Sequence, residues 1–110
     1  MRGFIVTAAL AALCSISGNI VASAPVKIGM VTTLSTKAGY LGEDIRDGFR
    51  LAMDLEGGML GGVPVELLVD DDGRDPGKGK QIAERFMQRD GVKIMTGIVF
   101  SNVAMAVVPK

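Results

Sequence analysis

Val63-Pro64-Val65-Glu66-Leu67-Leu68-Val69-Asp70-Asp71-Asp72-Gly73-Arg74-Asp75-Pro76 is the stretch on which the fold turns. Its first half is aliphatic and β-branched and reads as a strand, with Pro64 near the start, where a missing N–H costs the ladder least. The acidic run and Gly73 then leave the strand, and Asp75-Pro76 opens a helix. A carboxylate at the N-cap accepts a backbone N–H, and proline at the first helical position has no donor to lose. Ile82, Ala83, Phe86 and Met87 give that helix one apolar face; it runs to about Arg89 and is closed by Asp90-Gly91.

The same unit recurs on either side. Upstream, Val26-Lys27-Ile28-Gly29-Met30-Val31 reads as a buried strand and Thr32-Thr33-Leu34-Ser35-Thr36 as its loop. Leu41, Ile45, Phe49 and Met53 then fall at helical spacing, widened by Leu51, Ala52 and Leu55, while Glu43, Asp44, Arg46, Asp47, Arg50 and Asp54 form the polar side. Gly57-Gly58 stops this helix, because glycine reaches the left-handed conformation of a C-cap without a Cβ clash. Gly61-Gly62 turns the chain into the strand quoted above. Downstream, Val92 to Thr96 reads as a third strand, leading through Gly97-Ile98-Val99-Phe100 to Ser101-Asn102 and a helix opening over Val103 to Val108. Three strand-helix repeats predict right-handed crossovers and an α/β fold, a parallel sheet with flanking helices. A complete sheet of this kind has five or more strands, so residues 24–110 read as part of a longer, apparently truncated unit.

The 12 basic and 12 acidic side chains balance and 48% of residues are hydrophobic, which excludes a disordered tail and a strongly basic nucleic-acid binder. Only Arg2 among those charges lies in residues 1–24. A basic start, an apolar run from Phe4 to Leu13, a more polar stretch from Ser15 to Asn19 and Val21-Ala22-Ser23-Ala24 follow the plan of a secretory signal peptide. The run is about half of the roughly 20 residues that a permanent transmembrane helix needs. Cleavage after Ser23 is expected, since cleavage after Ala24 would place Pro25 in the protease. Cys14, the single cysteine, follows the bulky Leu13, which argues against lipid attachment. A signal peptide over 1–23 thus predicts export of a chain that holds together without disulfides.

In an open α/β sheet, ligands bind beyond the carboxyl ends of the strands, which singles out the loops Thr32 to Leu41, Asp70 to Pro76 and Gly97 to Asn102. Ser101 and Asn102 stand at a helix N-terminus, where free N–H groups, the helix dipole and a hydroxyl suit a carboxylate. The plainer alternative is that one of them only caps the helix. Tyr40 and Leu41 either pack on a ligand's apolar part or pack the helix start. Asp70, Asp71, Asp72 and Asp75 suggest a divalent cation, but a calcium loop counted from Asp70 needs glycine at Asp75 and glutamate at Gln81. A solvated strand end followed by an N-cap is the better account.

Gly57 to Gly62 follows a helix and precedes a strand, the reverse of a phosphate-binding turn, and Gly77-Lys78-Gly79-Lys80 lacks the Gly-Lys-Ser/Thr ending of a phosphate loop. Both read as turn or helix-surface features. The scattered methionines read as core filling. There is no histidine, and after export no cysteine, so the usual general base and thiol nucleophile are missing; neither catalysis nor a cofactor or metal is expected.

Several pieces together resemble the exported solute-binding proteins of ABC importers, of the branched-chain (Leu/Ile/Val) amino-acid type. They are Val26 to Gly29 with Leu34-Ser35, Gly42 to Phe49, Gly57 to Gly62, Asp71 to Pro76, and Thr96-Gly97 followed by Ser101. The resemblance implies a type I periplasmic binding protein, two α/β lobes closing on a small molecule that is passed to a membrane permease; this chain would supply the opening half of the first lobe. It implies that Ser101 binds the ligand's acid group and, less directly, that Phe100, Asn102, Tyr40 and Leu41 line the site. The chain departs from the family where Thr36-Lys37 replaces the usual Gly-Pro. It also carries Arg74 and Phe100 where some members have a disulfide. Phe100 hints at an aromatic acid in place of a branched-chain amino acid. The competing readings are an exported ligand-sensing or enzyme-associated α/β domain and a truncated fragment without activity.

Overall fold

The structure is a computed structural model and describes residues 23–108. The leader read at residues 1–23 thus falls almost wholly outside the described residues. The elements are β1 (Val26–Thr32), α1 (Gly39–Leu55), β2 (Met59–Leu60), β3 (Val63–Asp71), α2 (Pro76–Gln88), β4 (Ile94–Thr96) and α3 (Ser101–Val107). In the order β2-β3-β1-β4, β1 is central. It runs parallel to β3, with Val26 opposite Val65 and Thr32 opposite Asp71, and parallel to β4, with Ile28 opposite Ile94. Burial of β1 is unbroken from Ile28 to Thr32, as a parallel strand covered on both faces requires.

Adjacent residues of β1 reveal the two faces. Val31 packs with Ile82 and Phe86 of α2 and with Val92, and Leu68, Met95 and Ile98 close around them. Thr32 points the other way, its hydroxyl 2.8 Å from where a Cβ on Gly42 of α1 would stand. The two helices therefore lie on opposite faces, as right-handed crossovers to either side of β1 demand. A second cluster, Ala83, Val103 and Val107, joins α2 to α3. Each fully buried Val, Ile or Phe in these clusters contributes about 1.5–3 kcal/mol.

The helix ends match their sequence signals. Asp75 caps α2 by accepting the Lys78 N–H at 2.9 Å, with Pro76 in the first turn. Past α1, Gly57 N–H donates to the Asp54 carbonyl (3.2 Å) and Gly58 N–H to that of Met53 (2.8 Å), the two bonds of a Schellman cap. Among the described residues no helix is long and apolar enough to cross a membrane.

Some expectations change. Met59-Leu60 is a short strand pairing antiparallel with β3 across Gly61 (φ 56°) and Gly62 (φ 78°), a two-residue hairpin turn, not merely a glycine-rich connection. Gly79 is buried, not on the helix surface: a Cβ there would stand 2.6 Å from Val103 Cγ1, so glycine lets α2 and α3 approach. Of the methionines, Met30 is fully buried, but Met59, Met87 and Met105 are exposed. On α1, Leu41, Phe49 and Met53 are half-buried and Ile45 is exposed, so the apolar stripe is only partly covered by the described residues.

Candidate functional site

Because β1, β3 and β4 are parallel, the loops after them share one edge of the sheet, as the sequence predicts. Asp71 and Asp72 tie the first two loops together, and neither forms a solvated strand end. Asp71 Oδ1 accepts the N–H groups of Leu34 (2.8 Å) and Gly73 (2.8 Å) and, more weakly, of Ser35 (3.4 Å), while Lys78 Nζ stands 4.0 Å from Oδ2. Burial raises the Asp71 carboxyl, but the Leu34 N–H, the Ser35 side chain, the Gly73 N–H and the Lys78 ammonium outweigh it and hold the group down to about 2.

Asp72 is fully buried. Its Oδ1 accepts the Thr33 hydroxyl at 2.6 Å and the Arg74 N–H at 2.7 Å, whereas Oδ2 has no partner. The Asp72 carbonyl accepts the Asp75 N–H at 2.9 Å, closing a four-residue turn around Gly73 (φ 60°) and Arg74 (φ 62°). Positive φ at both central positions is the mirror-image turn that glycine favours, so Arg74 sits there at a steric cost of about 1–2 kcal/mol. Asp70 turns elsewhere and pairs with Arg85, whose guanidinium that hydrogen bond raises further. These acids diverge instead of converging on one point.

The third loop delivers Phe100 to the N-cap position of α3, with extended dihedrals and no side-chain cap. Ser101 and Asn102 are the first helical residues and both are exposed; the Phe100 carbonyl instead receives the Val103 and Ala104 N–H groups at 3.1 and 3.0 Å. Neither Ser101 nor Asn102 caps the helix, and their N–H groups, like those of any first turn, lack an intrahelical acceptor. The plainer alternative is thus not realised. The edge presents a hydroxyl, an amide and unsatisfied donors at the positive end of a short helix.

Phe100 is half-buried. It packs against the Ala83–Val103–Val107 cluster, and the Arg74 guanidinium lies 4.4 Å from its ring centroid. Tyr40 is 60% exposed, in the first turn of α1, with the half-buried Leu41 beside it. An open cleft of about 500 Å³ between the first two loops is lined by Thr36, Lys37, Ala38, Tyr40, Gly73 and Arg74. Of the residues read from sequence only Tyr40 lines it; Leu41, Phe100, Ser101 and Asn102 do not. Thr36, Lys37 and Arg74 line it as well, within the loops that the sequence singles out but outside its candidate site residues. The available signal was two cations placed in the loops at strand ends.

The family model of periplasmic binding proteins matches residues 25–110. No curated protein matches the chain. Among solved structures, the chain is similar to an ABC transporter substrate-binding protein from Sphaerobacter thermophilus, with 38% identity over 76% of this chain and 23% of that one and a TM-score of 0.71. It is also similar to an ABC transporter solute-binding protein from R. palustris in complex with benzoate, with 31% identity, 76% and 23% coverage and a TM-score of 0.72. A third is a possible leucine/isoleucine/valine-binding protein from Rhodopirellula baltica, with 28% identity, 84% and 26% coverage and a TM-score of 0.72. The chain thus spans about a quarter of the length of each of these structures.

Proposed function

The chain belongs to the periplasmic binding protein family, and on that premise we propose that it binds a small carboxylate-bearing solute outside the cytoplasm and delivers it to the membrane permease of an ABC importer. Residues 1–23 export it as a signal peptide, and residues 24–110 form the opening part of a first lobe that closes on the ligand with a second. The solute is an amino acid or an aromatic acid. The observation that carries this reading is the start of α3, where Ser101 and Asn102 are exposed at a sheet edge and spend no side-chain bond on capping.

A carboxylate there accepts the Ser101 hydroxyl and first-turn N–H groups while the helix dipole favours its charge. Tyr40, Leu41, Phe100 and Asn102 border the ligand. No bond is made or broken, so the work is selection and release. Relatives that are ABC transporter substrate-binding proteins, one of them solved with benzoate, support the reading. Calorimetric titration of the full-length protein with leucine and benzoate tests it. Saturable heat is expected, with affinity falling by roughly 1.5–3 kcal/mol in Ser101→Ala, the worth of a hydrogen bond to a charged group. Unchanged affinity in that variant would remove Ser101 from the site.

A further inference from the structure

We propose that Arg74 is the specificity-determining residue of this edge, selecting an aromatic carboxylate that lacks an α-ammonium group over a zwitterionic amino acid. The assignment rests on the binding function proposed above and names its substrate class.

Arg74 combines a fixed backbone with an unpaired charge. Its N–H is held by the buried Asp72, and its guanidinium is parked against Phe100 at 4.4 Å. Among the described residues no acceptor takes a guanidinium N–H of Arg74, so its fork of donors is left for a carboxylate, a planar match that lysine does not offer. Among the described residues Arg74 makes no ion pair, and neither does Lys37, the other cation lining the cleft.

The acids nearby are already engaged. Asp71 accepts three backbone N–H groups, Asp72 lies inside the protein, and Asp75 caps α2. Glu43 and Asp44, further along α1, do not line the cleft. A ligand here meets two cations, a phenol and a hydroxyl, and no carboxylate. An organic anion gains from both charges, whereas an amino acid brings an ammonium group that both repel and that no acid in these loops neutralises. The exposed Tyr40 ring on the cleft wall suits a flat apolar body.

The test compares 3-phenylpropanoate with phenylalanine, which share ring and carboxylate and differ by the ammonium group. Both are titrated into the full-length protein and into its Arg74→Gln, Arg74→Lys and Ser101→Ala variants. The wild type should prefer 3-phenylpropanoate by at least about tenfold. Arg74→Gln should erase most of that preference, weakening 3-phenylpropanoate much more than phenylalanine, for which the lost carboxylate contact is offset by relief of the ammonium repulsion, and Arg74→Lys should keep part of it. Ser101→Ala should weaken both ligands alike. Ser101-dependent binding with the same preference in Arg74→Gln overturns this assignment and leaves the binding function standing. Absence of Ser101-dependent binding for both probes overturns the two together.

Discussion

The guanidinium of Arg74 lies over the ring of Phe100, 4.4 Å from its centroid, and this contact joins the loop after β3 to the loop after β4. At an exposed site such a pair is worth about 0.5–1 kcal/mol. Removing the ring also strips packing from Ala83, Val103 and Val107. Phe100→Ala should therefore cost about 2–3 kcal/mol and Arg74→Ala much less. In urea unfolding of the two single variants and the double variant, the coupling energy should be about 0.5–1 kcal/mol; a value of zero would mean that the loops are not joined here.

Thr36 occupies a positive φ of 70° on the exposed first loop, a conformation that a β-branched residue adopts only under strain. Its compensation is one long hydrogen bond, from the Ala38 N–H to Thr36 Oγ1 at 3.3 Å. Thr36→Gly should stabilise the protein by about 0.5–1 kcal/mol, read as a higher denaturation midpoint at unchanged slope. A lower midpoint would show that the side chain matters more than the backbone.

Gly42 presents the opposite case. A Cβ there would stand 2.0 Å from the Thr33 carbonyl oxygen, and a backbone atom cannot swing aside as a side-chain end does. Gly42→Ala, although helix propensity favours alanine by about 1 kcal/mol, should destabilise by about 2 kcal/mol or more as α1 is pushed off the end of β1. A neutral result in thermal unfolding would place α1 further from the sheet.

Asp71 makes stability depend on acid pH. Its folded pKa of about 2 lies below the ordinary 3.8, so folding favours the ionised carboxylate. The contribution, about 2 kcal/mol, is fully present above pH 4 and is lost as pH falls through about 2. Asp71→Asn should lower stability at neutral pH and flatten the acid limb. A limb as steep as that of the wild type would assign acid unfolding to other carboxylates.

Local signals made most of this fold legible. Helical spacing and residues with one strong conformational preference, such as Asp75-Pro76 and Gly57-Gly58, mark α1 and α2 and their ends. β2 is not legible, because two residues have no period to detect. The apolar stripe of α1 is readable, but a stripe shows which side is apolar and not how much neighbouring chain covers it. The acidic run looked solvated because composition cannot reveal that the end of β3, beside the end of β1, turns Asp72 inward to the Thr33 hydroxyl. For the same reason Arg74 stood out in sequence only as a departure from a family pattern. Its contact with Phe100 exists only once both loops reach the same edge.

A crystal structure of the full-length protein grown with benzoate shows directly where the acid group is held. The acid group is expected at the start of α3, one oxygen about 2.6–3.2 Å from Ser101 Oγ or a first-turn N–H. A carboxylate seated away from Ser101 would contradict it.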